Sequence, residues 1–354
     1  MINIYVNSKY QHYPDALLNP VLRTCKNTNR VFPASLVSYV STLFNIVDKP
    51  ENADLCFLPL NWNYYNDNNQ IQQARELFLE ANSAKKKFVI FSHGDYTANI
   101  SFPNVIILEY SSYRSRNYKN GIQRLAIPVF VDDYINLYNG GNVTLRKKTN
   151  KPVIGFCGQA NGSKFDFIRR NLTLQGKKVL FTLGLQKWEP PVFEPTLFRQ
   201  RILQKLSENE NLTTNFILRT KYRAGYTKKD KDPYHKTRLE FANNILNTDY
   251  TVCMRGAGNF SARFYETLSC GKMPIFIDTD CILPFEKFID YKKFCVFVNQ
   301  NELDFIGEII LDYHSSLSES DFFEMQIRSR KVWEEFFTKE GFYRNLAREL
   351  KDYC

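Results

Sequence analysis

The sequence lacks the features of a secreted or membrane-spanning protein. The short apolar run Ile2–Val6 at the N-terminus follows no basic region and is too short for the core of a signal peptide. No later segment comes near the roughly 20 apolar residues that a membrane helix needs. We therefore predict a cytoplasmic protein without a membrane anchor.

A recognisable metal-binding pattern is also missing. The eight cysteines and four histidines are scattered, with no CxxC pair and no cluster of cysteine with histidine, which argues against a structural zinc site. Cys56, Cys157 and Cys295 lie inside apolar, strand-like runs. Buried free thiols in a reducing cytoplasm are therefore expected.

The composition is that of a folded globular protein with an excess of positive charge. Of 354 residues, 44% are hydrophobic and 24% are charged, which excludes disordered and fibrous classes. The length corresponds to two large domains or three average ones. Lys and Arg number 47 against 37 Asp and Glu, so the formal charge is +10. This charge favours an anionic partner, which could be nucleic acid, a membrane surface or a phosphorylated small molecule.

Short apolar runs alternate with longer amphipathic stretches in the first part of the chain. The apolar spacing predicts helices over Pro33–Val47 and Gln70–Ser83. Strands are predicted at Ile2–Val6, Asp54–Leu58, Lys87–Ser92, Asn104–Leu108 and Leu125–Val129. This β-α-β order is typical of a parallel sheet with helices on both faces.

The rhythm breaks over residues 139–152, which are rich in Gly, Asn and Lys, and we interpret this stretch as an interdomain linker. It then resumes, with predicted strands at Val153–Cys157, Lys178–Leu183, Asn215–Arg219, Tyr250–Met254, Met273–Ile277 and Phe294–Val298. Helices are predicted at Lys164–Leu174, Thr196–Glu208, Arg238–Leu246, Ser261–Cys270, Glu302–Tyr313 and within Ser318–Leu350.

Three regions follow from this order. Residues 1–145 form an N-terminal Rossmann-like domain and residues 151–316 a C-terminal one, and the helices of residues 318–354 are expected to pack back on the N-terminal domain. Proteins with two such α/β lobes usually bind a ligand in the cleft between them, at the carboxyl ends of the strands.

Chemistry-bearing residues concentrate after the predicted strand that ends at Met254. A loop with Arg255, Gly256 and Gly258 leads to Ser261, which suits a helix N-cap. A glycine-rich loop that enters a helix N-terminus offers free N–H groups to a phosphate. The same pattern is also common in purely structural turns, so the spacing alone leaves both interpretations open.

The predicted helix adds two charged side chains near this loop. Arg263 could make bidentate contacts to a phosphate. Glu266, three residues further on, falls on the same helical face and could accept hydrogen bonds from the two hydroxyls of a ribose. The alternative is an ordinary surface ion pair between the two.

This segment resembles the signature of the exostosin family, glycosyltransferase family 47. The matching elements, in order, are Arg255-Gly256, Ser261-x-Arg263-x-x-Glu266, Gly271, Pro274 and Leu283-Pro284-Phe285. Weaker similarities lie upstream, at Ala53-Asp54 with Phe57 and Pro59, at Phe91-Ser92-His93-Gly94-Asp95, and at Gly155-Phe156-x-Gly158. The chain departs from the family pattern at Gly94, where the family often has adjacent His and Asp, and at Ala257.

The resemblance implies a GT-B type fold, in which two Rossmann-like domains face a central cleft with parallel sheets. It also implies an inverting transfer from a nucleotide-sugar donor, typically a UDP-sugar, to a glycan or glycolipid acceptor in surface glycan synthesis, with no cofactor and no essential metal. The donor would be held by Arg255, Gly256, Gly258, Ser261, Arg263 and Glu266. Asp95 is the expected general base, and His93 is the alternative.

Two further motifs carry weaker predictions. Arg219 opens a basic cluster, Arg219–Arg223, that could contact the donor phosphate or could be a solvated loop. Asp278-Thr279-Asp280 looks like the DxD metal motif of the other major glycosyltransferase fold, but its place inside the exostosin-like segment favours a loop in the cleft over a manganese site. We predict no metal site.

Two other functions are considered as alternatives to a glycosyltransferase. A nucleic-acid-binding protein would explain the charge, but the basic residues are dispersed and no known binding motif is present. Another nucleotide-dependent α/β enzyme, such as a sugar-nucleotide epimerase, would need a GxGxxG element after its first strand, where this chain has NSKYQHYP. We therefore predict no nucleic-acid partner.

Positive charge beyond the needs of a donor diphosphate lies in runs such as Lys85–Lys87 and Arg146–Lys148. Such a surplus suggests peripheral attachment to the anionic inner face of a membrane, where a lipid-linked acceptor would be found.

Overall fold

The computed structural model describes residues 1–7, 9, 33–160, 164–221, 224 and 236–354. Cys25, most of the segment that follows the first strand, and Tyr222 and Arg223 of the basic cluster lie outside the described residues.

The first α/β unit is built on a sheet of six parallel strands. These are β1 (Ile2–Tyr5), β2 (Phe44–Val47), β3 (Leu55–Phe57), β4 (Lys87–Ser92), β5 (Val105–Glu109) and β6 (Gln123–Ala126), in the spatial order β2-β1-β3-β4-β5-β6. Strands β4 and β5 are buried along nearly their whole length, as expected for a parallel sheet that is covered on both faces.

Three helices belong to this unit: α1 (Ala34–Val40), α2 (Trp62–Asp67) and α3 (Ile71–Ser83). The helix that follows β6, α4 (Tyr134–Tyr138), packs against the second unit instead, where the buried Tyr134 shares an apolar cluster with Ala242, Ile245 and Cys270. The Asn61 and Asp133 side chains cap α2 and α4 by accepting backbone N–H bonds. The prediction of one helix over Pro33–Val47 is wrong in its second half. The chain turns after α1, and β2 pairs with β1 at the sheet edge, because Phe44 and its neighbours suit a half-buried strand as well as a helix.

The second unit has a sheet of five parallel strands. These are β7 (Val153–Gln159), β8 (Thr213–Arg219), β9 (Tyr250–Cys253), β10 (Met273–Asp278) and β11 (Val296–Asn299), in the order β11-β10-β9-β7-β8. Its helices are α5 (Lys164–Thr182), α6 (Pro195–Ser207), α7 (Lys236–Leu246), α8 (Ala262–Ser269) and α9 (Ile306–Ser316).

The predicted strand Lys178–Leu183 does not exist. Helix α5 runs unbroken to Thr182, and the apolar residues of this stretch lie on a helix with solvent-exposed side chains instead of in a sheet. The prediction failed because an apolar run of this length is compatible with a strand and with the end of a helix.

Both sheets share one topology. In each, the second strand lies beside the first, and the third lies on the first strand's other side. The order therefore reverses between β1 and β3 in one unit and between β7 and β9 in the other, and ligands of such sheets bind at the carboxyl ends beside this reversal. The predicted fold class, two Rossmann-like units with parallel sheets, is confirmed.

The loops at the carboxyl ends of the two sheets face each other. Tyr113, after β5, forms an antiparallel bridge with Cys281, after β10. The neighbouring Ser115 donates from its hydroxyl to the Asp280 carboxylate at 2.5 Å. The two sheets thus enclose a cleft between their carboxyl edges.

The chain ends in two helices, α10 (Glu319–Val332) and α11 (Lys339–Leu350), joined by a π-helical turn at Trp333–Phe337. Helix α11 packs against α1, and its buried Phe342 lies edge-on to Phe130 of the first unit, with ring centroids 5.2 Å apart. The last helix therefore covers the first sheet although it follows the second one in the sequence.

The stretch of residues 139–152, which the sequence analysis interprets as an interdomain linker, contains neither helix nor strand. It is held to the second unit by buried polar contacts. Arg146 Nε donates to Asp249 at 2.6 Å, and the Nζ of the buried Lys272 donates to the Thr144 carbonyl at 2.8 Å. Burial lowers the pKa of Lys272 to about 8.

Six of the cysteines in the described part of the chain are buried free thiols, and Cys354 is free and exposed. Burial raises the pKa of these buried thiols, for example that of Cys253 to about 12, which makes them unreactive. Among the described helices, none combines the length and the apolar character that crossing a bilayer requires.

Candidate functional site

The loop between β9 and α8 lies at the reversal point of the second sheet, and Arg255 is its anchor. Its guanidinium is buried and donates to the Asn259 side-chain oxygen and to the Ala257 carbonyl, both at 3.1 Å. The rings of Tyr113 and Phe193 lie 5.5 and 5.0 Å from it. Among the described residues Arg255 makes no ion pair, so a charge without a fixed counter-ion sits beside the cleft.

Asn259, a residue of the loop to which the sequence analysis assigns no role, connects this loop to the first unit. It is fully buried, its N–H donates to the Ser111 hydroxyl at 2.9 Å, and its side-chain amide donates to the Ser112 carbonyl at 2.9 Å. Its side-chain oxygen accepts from Arg255 and, at 2.6 Å, from Thr279. A buried amide with every group satisfied fixes the geometry around it.

Gly258 is where the two units come closest. A Cβ at this position would lie 2.5 Å from Cε1 of Phe260 and 2.9 Å from the Cα of Asp95, so only glycine fits. By contrast, a Cβ at Gly256 would meet only Arg199, at 3.7 Å. The sequence analysis predicts that both glycines belong to the loop that binds the donor, residues 255–261, which we call the donor loop. In the structure only Gly258 has no room for a side chain.

Asp95 follows β4 and stands at the exposed rim of the cleft, opposite Gly258. Partial burial of the carboxylate raises its pKa above the usual range. The nearby backbone N–H of Gly258 and the charge of Arg255 both act to lower the pKa, but burial has the larger effect. An elevated pKa means that this carboxylate holds a proton more strongly than an ordinary aspartate does.

His93 lies two residues before Asp95. Its backbone N–H and C=O are both bonded to the side chain of Asn63, at 2.7 and 3.1 Å. Its ring packs between Phe91 and Tyr110, with centroids 4.2 and 6.4 Å away. These contacts hold the start of the Asp95 loop in place.

Arg263, in the first turn of α8, points back across the end of β7. It donates to the Cys157 carbonyl at 2.7 Å, and its guanidinium stacks 4.1 Å from the ring of Phe156. A Cβ on Gly158 would come within 2.7 Å of this group, so the glycine leaves it room. Among the described residues Arg263, like Arg255, has no carboxylate partner.

Glu266 lies one turn further along α8. One of its carboxylate oxygens accepts a hydrogen bond from the Tyr134 hydroxyl at 3.1 Å, and Tyr134 belongs to α4, which packs against α7 and α8. Burial and the neighbouring carboxylate raise the pKa of Tyr134 well above its usual value. This tyrosine therefore stays a neutral donor and orients Glu266.

Ser261 is the N-cap of α8, as predicted, although its side chain does not cap the helix. Arg219, at the end of β8, forms an ion pair with Glu240 at 2.6 Å and also donates to the Thr237 carbonyl. Because this guanidinium already has a counter-ion, it is less available to a phosphate than Arg255 or Arg263.

Arg199 of α6 is a second residue that the sequence analysis missed. Its guanidinium donates to the Gln159 carbonyl at 3.0 Å and to the Arg255 carbonyl at 3.1 Å, so it ties the ends of β7 and β9 together. An arginine in the middle of an amphipathic helix gives no sign of this role in the sequence.

The triplet Asp278-Thr279-Asp280 is part of the contact between the two units. Asp278 accepts the Cys281 N–H at 2.9 Å, and Asp280 accepts bonds from the backbone and hydroxyl of Ser115. Within the described part of the chain, no group of three or more potential metal ligands is assembled.

The loop after α5 also reaches the first unit, close to Asp95. The Trp188 indole donates to Asp67 at 2.9 Å, and its ring stacks on Tyr96 with centroids 5.7 Å apart. Glu189 accepts two bonds from Arg116, at 2.5 and 2.7 Å. These contacts close one end of the cleft.

The structure therefore assembles most of the expected residues around one cleft. Gly258, in the loop between β9 and α8, reaches across to Asp95 of the first unit, and Glu266 of α8 contacts Tyr134 of α4. Arg263 faces the end of β7, and Arg219 is turned toward α7. Asn259, Arg199 and Tyr134 join the site from positions that the sequence did not indicate.

Residues 193–311 match the family model described as the Exostosin GT47 domain. Exostosin-1 of Drosophila melanogaster is 25% identical over 108 residues, which is 30% of this chain and 14% of that protein. The Exostosin-1 homolog of Caenorhabditis elegans is 28% identical over 115 residues, which is 32% of this chain and 28% of that protein. The matches thus span under a third of these relatives.

Solved structures were compared as well. A glycosyltransferase from Rickettsia africae has a TM-score of 0.41 at 13% identity and covers 99% of this chain and 98% of its own. HepE from Anabaena, solved with UDP and glucose, has a TM-score of 0.36 at 10% identity and covers 99% of both chains. Both TM-scores are low, and we draw nothing from these two similarities.

The sequence resemblance and the family model agree on the same part of the chain. The matched stretch contains β9, α8 and β10, and with them the complete donor loop and the Leu283-Pro284-Phe285 element. The suspected resemblance to the exostosin family, GT47, is confirmed for residues 193–311, which match the model of its glycosyltransferase domain.

Proposed function

We propose that this chain is an inverting glycosyltransferase that transfers a sugar from a UDP-sugar to a hydroxyl group of a glycan or lipid-linked acceptor. The observation that carries the proposal is the position of the Asp95 carboxylate, held by the first unit directly against the Gly258 loop of the second. A base on one wall of the cleft thus faces the expected donor loop on the other.

Inversion requires a base that removes the proton of the acceptor hydroxyl on the side opposite the leaving group. Asp95 is suited to this role, because partial burial raises its pKa and so strengthens it as a base. His93 is the alternative base, but its ring packs against Phe91 and its backbone is bonded to Asn63. We assign it the role of positioning the loop that carries Asp95.

Bond cleavage leaves negative charge on the departing nucleoside diphosphate. Arg255 and Arg263 supply fixed positive charge next to the cleft, and the N-terminus of α8 adds free N–H groups between them. Both guanidinia are held by carbonyl and amide oxygens, so the positive charge is already in position before the donor binds. On this basis the reaction needs no metal ion and no cofactor.

Glu266 is the proposed partner of the nucleotide ribose. Its contact with the Tyr134 hydroxyl of α4 orients the carboxylate. The choice of UDP over other nucleotides rests on the family resemblance. The acceptor is proposed to be a surface glycan or its lipid-linked precursor, which would place the protein in the cytoplasm at the inner face of a membrane.

The test is isothermal titration calorimetry of the wild-type chain with UDP, GDP, CMP and NAD, followed by the same titrations of Glu266→Ala. We expect UDP to bind and the Glu266→Ala variant to lose affinity. Preference for NAD would favour the alternative of another nucleotide-dependent enzyme. Unchanged UDP affinity in the variant would remove Glu266 from the donor site.

A further inference from the structure

Helix α5 carries a row of apolar side chains that face away from the protein. Phe165, Ile168, Leu172 and Val179 are 73%, 59%, 68% and 57% exposed, respectively. Their spacing of three, four and seven residues places them on one side of the helix. We call these four residues the outer stripe.

The opposite side of α5 is packed in the normal way. Phe167 and Leu174 are buried in the protein. On a helix these two positions lie about half a turn away from Phe165 and Leu172, so the helix has two apolar faces, of which the described residues cover only one. The outer stripe is therefore not explained by the packing of the second unit.

The apolar surface continues past the end of the helix. Leu183, Leu185 and Val192 are also exposed, and eight of the seventeen large apolar side chains exposed in the described part of the chain lie between residues 165 and 192. Scattered exposed apolar residues are ordinary on a soluble protein, whereas a contiguous patch indicates a binding surface.

Positive charge surrounds the outer stripe. Between residues 164 and 187 the chain has six basic residues and one acidic residue. Arg169, Arg170 and Lys177 line a cavity of about 240 Å³ between α5 and residues 191–195, directly beside the stripe. Glu194 also lines this cavity and pairs with Arg170 at 3.4 Å, which leaves Arg169 and Lys177 as its cations without a partner across the cavity among the described residues. Apolar side chains bordered by lysine and arginine are the pattern of helices that lie in the interface of an anionic membrane.

We propose that α5 docks this protein on a lipid bilayer, with the outer stripe inserted among the acyl chains and the Arg169–Lys177 flank against anionic headgroups. A second copy of the chain is a poorer occupant, because a symmetric contact would bring the same basic flanks together. Lipid phosphates neutralise that charge instead.

The docking surface lies next to the cleft. The chain that leaves α5 brings Trp188 onto Tyr96, the neighbour of Asp95, and Phe193 onto Arg255. A lipid-linked acceptor in the same bilayer could therefore reach the proposed base without leaving the membrane. This last step rests on the proposed function, whereas the docking itself does not.

The test is co-sedimentation of the full chain with vesicles of phosphatidylcholine alone or mixed with phosphatidylglycerol. We expect binding only to the mixed vesicles, and weaker binding as salt is raised, because surface charges are screened. Leu172→Glu should lower the affinity by roughly tenfold, since it places a charge at the centre of the apolar stripe. Leu79→Glu, the same change at an exposed leucine of α3, is the matched control and should bind like wild type.

Calorimetry with UDP separates this inference from the proposed function, because Leu172→Glu should bind the nucleotide as wild type does. Equal vesicle binding by Leu172→Glu and wild type would overturn the docking inference, as would failure of wild type to bind the mixed vesicles. A concentration-dependent dimer that Leu172→Glu abolishes would assign the stripe to a second copy of the chain instead.

Discussion

The backbone of Gly258, in the second α/β unit, lies against Asp95 of the first, close enough for its N–H to act to lower the pKa of the Asp95 carboxyl. Through this contact the donor loop and the proposed base hold each other in position. The separation of the two backbones is set by the missing Cβ at Gly258, and the buried Asn259 next to it fixes the loop from the other side.

Replacing Asp95 by Asn should remove the base and keep the shape of the side chain. We expect the transfer rate to fall by roughly 10²- to 10⁴-fold, the usual contribution of a general base, while the Kd for the nucleotide stays near its wild-type value. Steady-state kinetics and calorimetry measure the two quantities. Asp312→Asn, an exposed position on α9, is the control. Near-normal turnover of Asp95→Asn would reject the assignment.

Gly258→Ala tests the close approach of the two units. The new Cβ would lie 2.5 Å from the Phe260 ring and 2.9 Å from the Asp95 backbone, so the loops must move apart. We expect a loss of activity of at least tenfold, because small displacements of catalytic groups are costly. At Gly256 the same change meets only Arg199 at 3.7 Å, and its effect should be smaller. Equal effects at both positions would contradict the steric argument.

Arg263→Ala should weaken nucleotide binding. A hydrogen bond to a charged group contributes about 1.5–3 kcal/mol, which corresponds to roughly a 10- to 100-fold rise in Kd. Arg328→Ala, at an exposed site on α10, provides the control in the same titration, and thermal melts would check that both variants fold. A Kd for UDP that does not change in Arg263→Ala would mean that this guanidinium only supports the end of β7.

Arg330→Met tests how the C-terminal helices are attached. Arg330 makes two bonds to Asp133, the N-cap residue of α4, at 2.8 and 2.7 Å. Although burial raises the pKa of Asp133, Arg330 and the N–H groups of Asn136 and Ile135 together outweigh it and bring the pKa below its usual value. The pair therefore stabilises the fold above the ordinary aspartate pKa, and its contribution is lost as the pH falls through the lowered value.

We accordingly expect Arg330→Met to lower the free energy of unfolding by about 1.5–3 kcal/mol at neutral pH. The difference from wild type should shrink in strongly acidic solution. Denaturant titrations across this pH range measure both. A difference that does not depend on pH would show that the packing of Arg330 on Trp333, and not its charge, holds the helices.

Glu349 of α11 makes the free energy of unfolding depend on pH in the opposite direction to the Arg330–Asp133 pair. Burial raises its pKa to about 7. The native state then binds a proton that the unfolded chain has already released, so stability falls as the pH rises from the ordinary glutamate value through 7. Glu349→Gln should remove this fall and raise stability at pH 8 by about 1–3 kcal/mol. The exposed Glu340→Gln is the control in pH-dependent melts, and identical pH profiles for Glu349→Gln and wild type would refute the expectation.

The sequence was sufficient to predict most strands and both units, because buried parallel strands are continuous apolar runs such as Lys87–Ser92. The prediction of secondary structure failed where the same apolar residues are compatible with both a strand and a helix. The C-terminal half of α5 was predicted as a strand, because a helix that carries apolar residues on its exposed face as well as on its buried face does not show the 3.6-residue hydrophobic period of an amphipathic helix. The edge strand β2 was absorbed into the preceding helix for the same reason.

The donor loop was predictable because its residues are adjacent in the chain. The contacts that position it were not, because each joins distant segments. Asn259 bonds to Ser111 and Ser112, and Tyr134 bonds to Glu266 across 132 positions of sequence. The sequence around a buried asparagine or tyrosine does not indicate which distant residue it will contact, so the role of these residues is visible only in the folded structure.

The return of α11 to the first unit has a mechanical consequence. The polypeptide passes between the two units twice, once between β6 and α4 and once at the π-helical turn before α11. Two fixed crossings define a line, so any opening of the cleft that preserves both is a rotation about that line. The rotation would part the contact of Gly258 with Asp95, so the cleft would open to substrates and lose its catalytic geometry together.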